Sequence, residues 1–205
     1  GEFFLMAKQL DKAKEKAELA LKQEPANTDA LLLSAALAMA QSESRKAREI
    51  LAEVRRLNPG KLSAYLMEAA ILVQEKKLEE TAALLEQGIQ ASPKTLDLYI
   101  ARAALADSQK QFEAGESFLL QAIAQEPKSP ALHQQLARHY TLAGQRDKAE
   151  AALRQGVSLE PDSEKPVIML ARFLANQGQR PEAETTLLGF IKEHPNNYPA
   201  RFSLA

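Results

Sequence analysis

Six prolines stand at positions 25, 59, 93, 127, 161 and 195, each 34 residues after the one before. The other four, Pro130, Pro166, Pro181 and Pro199, fall elsewhere in the period. Proline has no backbone donor and clashes with the preceding helical turn, so it ends a helix or sits outside one. A proline series at fixed intervals therefore divides the whole chain into short units. A period of this length is the mark of a solenoid or array.

Other columns keep the same period. Two residues after each proline come Asn27, Lys61, Thr95, Ser129, Ser163 and Asn197. Five of these carry a side-chain oxygen able to accept from a free N–H of a new helix. Pro130 adds proline at the first helical position, where its missing donor costs nothing. A second column holds Gly1, Ala35, Ala69, Ala103, Ala137, Ala171 and Ala205, and a third Ala13, Ala47, Thr81, Gly115, Ala149 and Ala183. All are small, so two helix backbones can approach closely there. Four residues beyond the third column stand Ala17, Leu51, Leu85, Leu119, Leu153 and Leu187. Four further are Leu21, Arg55, Ile89, Ile123, Val157 and Ile191. Rows spaced in this way form the apolar stripe of an amphipathic helix.

The pattern predicts two helices per unit joined by a short turn, plainest at Gly144–Asp147 and Gly178–Pro181, with Gln41–Ser44 serving the same place without glycine. The expected pairs are 28–40 with 44–57, 62–75 with 78–91, 96–108 with 112–125, 130–143 with 146–159 and 164–177 with 180–193. A lone second helix near 9–23 precedes them and a stub near 198–205 follows. The chain divides accordingly into a partial repeat 1–27, full repeats 28–61, 62–95, 96–129, 130–163 and 164–197, and a partial repeat 198–205, in one solenoid segment. Ala, Leu, Glu, Gln, Lys and Arg dominate, while Trp is absent and aromatics are 5%. That vocabulary favours helix over sheet.

The fifth unit shows His133, Leu136, Ala137, Tyr140, Ala149, Leu153 and Pro161 in sequence, and the sixth Val167, Leu170, Ala171, Leu174, Ala183, Leu187 and Pro195. This succession resembles the tetratricopeptide repeat along the whole chain. The resemblance implies an all-α, right-handed α-solenoid of 34-residue helix-turn-helix repeats, with the first helix of each pair lining a concave face. Where the family usually has Leu in that helix, units two to four carry Ser34, Glu68 and Arg102. Glu68 and Arg102 are one period apart and read as a mutually neutralising pair between units, since partly buried charges need partners. Gly115 inside an expected helix costs about 1 kcal/mol relative to Ala and has no account from sequence.

Several function classes are excluded by composition. There are 26 basic and 27 acidic residues, so the chain lacks the electrostatic footprint of a nucleic-acid binder. Arg45, Lys46, Arg48, Arg55, Arg56 and Lys61 are interleaved with Glu43, Glu49 and Glu53 and read as a solvated face. No cysteine is present, which removes disulfides and thiolate metal sites. No apolar run approaches a membrane span, so direct membrane insertion is not expected. Neither a phosphate-cradling loop, a His-Glu-x-x-His motif nor a nucleophile elbow occurs. His133 and His139 are six apart and share no helix face, and His133 takes the bulky packing slot of Tyr65 and Tyr99. No catalytic, cofactor or metal site is expected, and the chain reads as no enzyme.

The candidate site is the groove that the resemblance implies. Its facing positions are Leu32, Ala36 and Met39, then Leu66, Ala70 and Val73, then Ile100, Ala104 and Asp107. The fifth unit offers Gln134, Arg138 and Thr141, and the sixth Ile168, Arg172 and Asn176. One half is apolar and the other carries two arginines, which suits a peptide or helix with apolar anchors and an acidic group. None of these positions reproduces the Lys/Asn pattern of the carboxylate clamp that holds heat-shock chaperone tails, so a co-chaperone of that kind is not expected.

The expected function is a protein-protein interaction scaffold. The Ala/Gln-rich texture with Gly-Gln-Arg turns resembles long bacterial repeat proteins, including cell-envelope lipoproteins of polysaccharide export or secretion. That texture favours a periplasmic or cell-envelope location. Gly1 and Phe4 already occupy repeat positions, and Phe202 and Leu204 stand in mid-helix, so the chain reads as a segment of something longer. The lack of a signal peptide then carries little weight. The alternatives are a structural spacer or self-association module pairing through exposed terminal repeats, and a regulatory domain of an enzyme whose catalytic part lies elsewhere.

Overall fold

The structure, a computed structural model, describes residues 10–204, with side chains to Ser203. Gly1, Phe4 and Ala205 lie outside the described residues. Among the described residues there are twelve helices and no strand. They are α1 (Leu10–Gln23), α2 (Thr28–Ala40), α3 (Ser44–Leu57), α4 (Leu62–Gln74), α5 (Leu78–Ala91) and α6 (Leu96–Ser108). There follow α7 (Phe112–Gln125), α8 (Pro130–Leu142), α9 (Arg146–Leu159), α10 (Glu164–Asn176), α11 (Arg180–Glu193) and α12 (Tyr198–Leu204). Expected and observed ends differ by at most one residue. A 13-residue helix, a three-residue turn, a 14-residue helix and a four-residue turn account for the whole period.

The two turns are built differently. In the four-residue turn the periodic proline is the second residue, and the fourth residue's N–H donates to the first residue's carbonyl. Asn27 to Glu24 (3.0 Å), Lys61 to Asn58 (3.1 Å), Thr95 to Ser92 (3.0 Å) and Ser129 to Glu126 (3.2 Å) repeat this bond. Proline's fixed φ suits that place in a β-turn. All six periodic prolines lie in turns.

The next helix starts differently from unit to unit. Asn27 and Asn197 accept with Oδ1 from the N–H of Ala30 and Ala200, each at 2.9 Å. Ser129 and Ser163 make no such side-chain bond, contrary to expectation. At Ser129 the main chain takes over: Leu132 N–H donates to the Ser129 carbonyl at 3.2 Å. Ala64 to Lys61 and Leu98 to Thr95 do the same, at 3.0 and 3.1 Å. At Ser163 the residue three positions on is Pro166, which has no N–H to offer a side-chain cap.

The three-residue turn is a left-handed helix stop. Ser42, Lys76, Lys110, Gly144 and Gly178 all have positive φ, between 60 and 83°. Around each, two bonds recur, as in Glu43 N–H to Ala38 carbonyl (2.8 Å) and Ser42 N–H to Met39 carbonyl (3.0 Å). This is the Schellman arrangement, which satisfies otherwise orphaned helix carbonyls.

The described residues form two compact units, one ending at Arg102 and the other beginning at Ala103, so α6 contributes to both. In the first, Ala13, Ala17, Leu33 and Leu37 join α1 to α2. Ala35, Ala38, Ala47, Leu51, Val54, Ala64 and Ile71 join α2, α3 and α4. In the second, Ala137, Ala149, Leu153, Ala171, Ala183 and Leu187 are the same columns, all buried.

Glu68 is buried, but it does not pair with Arg102 as expected. It pairs with Arg55, and Arg48 Nε lies 3.5 Å away. Arg102 pairs with Glu86 at 3.0 Å. The reason is direction: this position on a first helix faces back onto the second helix of the preceding unit, not forward to its own equivalent. Arg48 also reaches Glu75 and Glu80, at 3.8 and 3.1 Å. Arg45, Lys46 and Arg56 pair locally on the solvated face.

Left-handed backbone costs a residue with a Cβ about 1–2 kcal/mol, part of which is returned by glycine's larger unfolded-state entropy. Lys76→Gly and Lys110→Gly are therefore each expected to stabilise the chain by about 0.5–1 kcal/mol. Urea titrations would show a raised midpoint for each; an unchanged or lowered midpoint would contradict the assignment of strain to these turns.

Candidate docking faces

The groove positions lie on the first helices, whose capped starts and left-handed stops fix which residues project together. In the first unit Leu32 and Met39 are half-buried against the core and serve chiefly as packing. Ala36 and Leu66 are also half-buried, as is Ile100. Ala70 is exposed, and Val73 is 48% exposed. An exposed apolar strip therefore survives on α4, smaller than the sequence suggested.

In the second unit Ala104, Gln134, Arg138, Thr141, Arg172 and Asn176 are exposed and Ile168 is half-buried. Asn176 is one residue out of phase; Ala175 holds the true position and lines a cavity of about 300 Å³ between α10, α11 and α12. Arg172 lines that cavity too, with Ile168, Leu187, Arg180 and Glu184. Neither Arg138 nor Arg172 makes an ion pair among the described residues. Gln134 borders a second cavity of about 360 Å³ between α8, α9 and α10.

Asp107 does not belong to the groove. Its Oδ1 lies 2.7 Å from Nδ1 of His139, which is 1% exposed. A buried imidazole needs a partner, and the carboxylate supplies one. The packing histidine of this segment is thus His139, while His133 is half-buried. An ionisable residue in each of two largely apolar columns was the available signal. His139 stands where other units have Leu37, Ile71, Leu105 and Phe173, and Asp107 where they have Met39, Val73, Thr141 and Ala175.

This pair also accounts for Gly115. A Cβ there would sit 2.6 Å from Asp107 Oδ1 and 3.1 Å from the His139 ring. Beside it, the Tyr140 hydroxyl donates to Glu116 Oε1 at 2.6 Å and Lys148 Nζ approaches the same oxygen at 3.3 Å. Lys148 also lies 5.0 Å from the centre of the Tyr140 ring. The tyrosine hydrogen bond, then the lysine, holds the Glu116 carboxyl below its ordinary value of 4.5. Burial first, then Glu116, pushes the Tyr140 hydroxyl up.

No group of three or more metal-ligating side chains occurs among the described residues. No helix among them is long and apolar enough to cross a membrane.

The helix succession and its two alternating turns define the class: an all-α helical-repeat solenoid. Residues 108–165 and 140–205 match the model of the tetratricopeptide repeat family. Solved structures share the fold. PilW, a widely conserved type IV pilus biogenesis factor, is similar at a TM-score of 0.66 and 19% identity, over 100% of this chain and 94% of its own. MamA is similar at 0.60 and 19%, over 80% and 90%. YrrB, a tetratricopeptide protein with an unusual peptide-binding site, is similar at 0.54 and 16%, over 93% and 98%. No curated protein matches the sequence. The family match over residues 108–205 and the shared fold support a tetratricopeptide-repeat protein.

Two outcomes are expected from this cluster. Gly115→Ala should destabilise the protein by about 1–3 kcal/mol despite alanine's better helix propensity, because the new methyl displaces Asp107 from a buried imidazole; chemical denaturation would measure it, and a gain in stability would refute the packing account. Glu116 has a lowered folded-state pKa, so its contribution is complete above about 4.5 and is lost as pH falls through its folded value. Stability measured at pH 7 and pH 3 should accordingly differ less in Glu116→Gln than in the natural chain, and an equal difference would exclude that role.

Proposed function

We propose that this chain is a non-catalytic interaction scaffold that docks a partner peptide or helix along the exposed faces of its first helices. The observation that carries the reading is the pair Arg138 and Arg172. They occupy one phase of the repeat, both are exposed, and neither has an acidic partner among the described residues. Two uncompensated guanidinium groups on one surface repel each other, and a carboxylate from a partner relieves that repulsion. In the first unit the exposed Val73 and Ala70, with half-buried Leu66 and Ile100, offer an apolar surface of the kind a partner's side chains bury. The similarity to YrrB, with its peptide-binding site, and to PilW, a pilus biogenesis factor, supports a binding role within a larger bacterial assembly. We place that assembly at the cell envelope, with polysaccharide export or secretion as the class of process.

Self-association is the second reading. It is favoured by α12, where Tyr198 is 77% and Phe202 86% exposed.

Arg138→Glu combined with Arg172→Glu is expected to abolish partner capture while leaving the helical melting curve nearly unchanged, since both side chains are exposed. A charge-assisted hydrogen bond from either guanidinium contributes about 1.5–3 kcal/mol when desolvated. Quantitative affinity capture with the natural and doubly substituted chains, with light scattering on the same samples, tests this. Unchanged capture by the variant would refute the docking face, and concentration-dependent dimers that persist in it would favour self-association.

A further inference from the structure

The arginines left without partners are not scattered. Every arginine of the first unit, Arg45, Arg48, Arg55, Arg56 and Arg102, makes an ion pair. In the second unit Arg154 does so, with Glu150 and Glu182 at 2.8 and 2.5 Å. Arg138, Arg146, Arg172 and Arg180 make none among the described residues, and all four are exposed. They form two sets at the same repeat phases: Arg138 and Arg172 on the first helices, Arg146 and Arg180 opening the second helices. Arg201, on α12, is exposed as well but stands outside both phases. Arg172 and Arg180 line one cavity, whose other walls are mainly apolar, from Ile168, Ala175 and Leu187. Glu184 is the acidic residue on that cavity.

The geometry points to a two-rung arginine site, Arg138 with Arg146 and Arg172 with Arg180, that binds an acidic amphipathic helix of a partner protein. This rests on the docking-face reading and extends it to the starts of α9 and α11 and to the form of the partner. Successive rungs are related by one repeat, and neighbouring helices pack about 8–10 Å apart. A helix returns to the same face after seven residues with a rise of about 10.5 Å. An extended strand returns to the same face every two residues, about 6.6 Å. The helix repeat comes nearer to that packing distance than the two-residue strand repeat does. Carboxylates seven residues apart would each meet one rung, where guanidinium groups offer forked donors. Apolar residues between them, three or four positions from each acid, fall on the same face and meet the apolar cavity walls.

The test uses the full chain and a labelled, stapled helical peptide with two glutamates seven residues apart and leucines between them on the same face. Fluorescence anisotropy is expected to show binding that weakens with added salt and falls at least about tenfold for Arg146→Gln with Arg180→Gln. A control peptide with the glutamates five residues apart, hence on different faces, should bind at least about tenfold more weakly. Absence of binding, equal binding of the two peptides, an unaffected glutamine variant, or equally tight binding of single-stranded DNA would each overturn the inference. If Arg138→Glu with Arg172→Glu loses the peptide while the glutamine variant retains it, the extension fails and the docking face stands. If the glutamine variant loses the peptide and the Arg138/Arg172 variant retains it, the docking face fails, and the two-rung site with it.

Discussion

The alternation of two turns of fixed length is the constraint on which everything else rests. One turn stops a helix with a left-handed residue at 42, 76, 110, 144 and 178; the other reverses the chain around a proline 17 residues further on. Because neither length varies, a residue and its equivalent 34 positions later hold the same place in the repeat. The column Ala47, Thr81, Gly115, Ala149 and Ala183 is buried throughout, and so is the column of Leu51, Leu85, Leu119, Leu153 and Leu187.

Within that frame the polar exceptions are resolved locally. Glu68 stands in a leucine column and Arg55 in an aliphatic one, and they meet each other across α3 and α4. Burial pushes the Arg55 guanidinium down, and the Tyr65 ring lies 5.6 Å from it. Tyr65 and Tyr99 each donate their hydroxyl to the carbonyl of the periodic proline six residues earlier, at 2.8 and 3.0 Å. The turn that ends one unit is thereby tied to the helix that opens the next. Asp107 and His139 form a comparable buried pair in the second unit, with Gly115 vacating the space they need. Buried polar groups of this sort contribute little net stability but are costly when one partner is missing.

The helix map, the small columns and the stripe could all be read from the period, because backbone geometry repeats with the sequence. Partner choice could not, since it depends on which neighbour a position faces. Glu68 and Arg102 share a column and so looked like partners, yet both face the preceding second helix. Asp107 looked like a groove residue because Met39 and Val73 share its phase, and the buried histidine that claims it lies 32 positions on, not 34. The cap at Ser163 failed for a local reason, since Pro166 three residues on has no N–H to donate. Arg146 and Arg180 were visible in the Gly-Gln-Arg turns but read only as turn residues.

What distinguishes the second unit is the contrast between its charge inventory and its charge pairing. Chance exposure of an arginine needs no explanation, because a solvated guanidinium costs little and an exposed ion pair gains little. Four unpaired arginines at two repeat phases are different. The same repeat that stacks the columns in the core also stacks like charges on the surface, and like charges held in register repel. Glu150 could relieve Arg146 four residues before it, yet it lies against Arg154 instead. The second unit thus keeps exposed arginines at two repeat phases, with Glu150 engaged by Arg154 and Glu184 beside Arg172 and Arg180 but in no ion pair with them. A surface of that kind gains most from an anion whose own charges repeat at a similar spacing, and a helical partner with acids seven residues apart supplies one of about 10.5 Å.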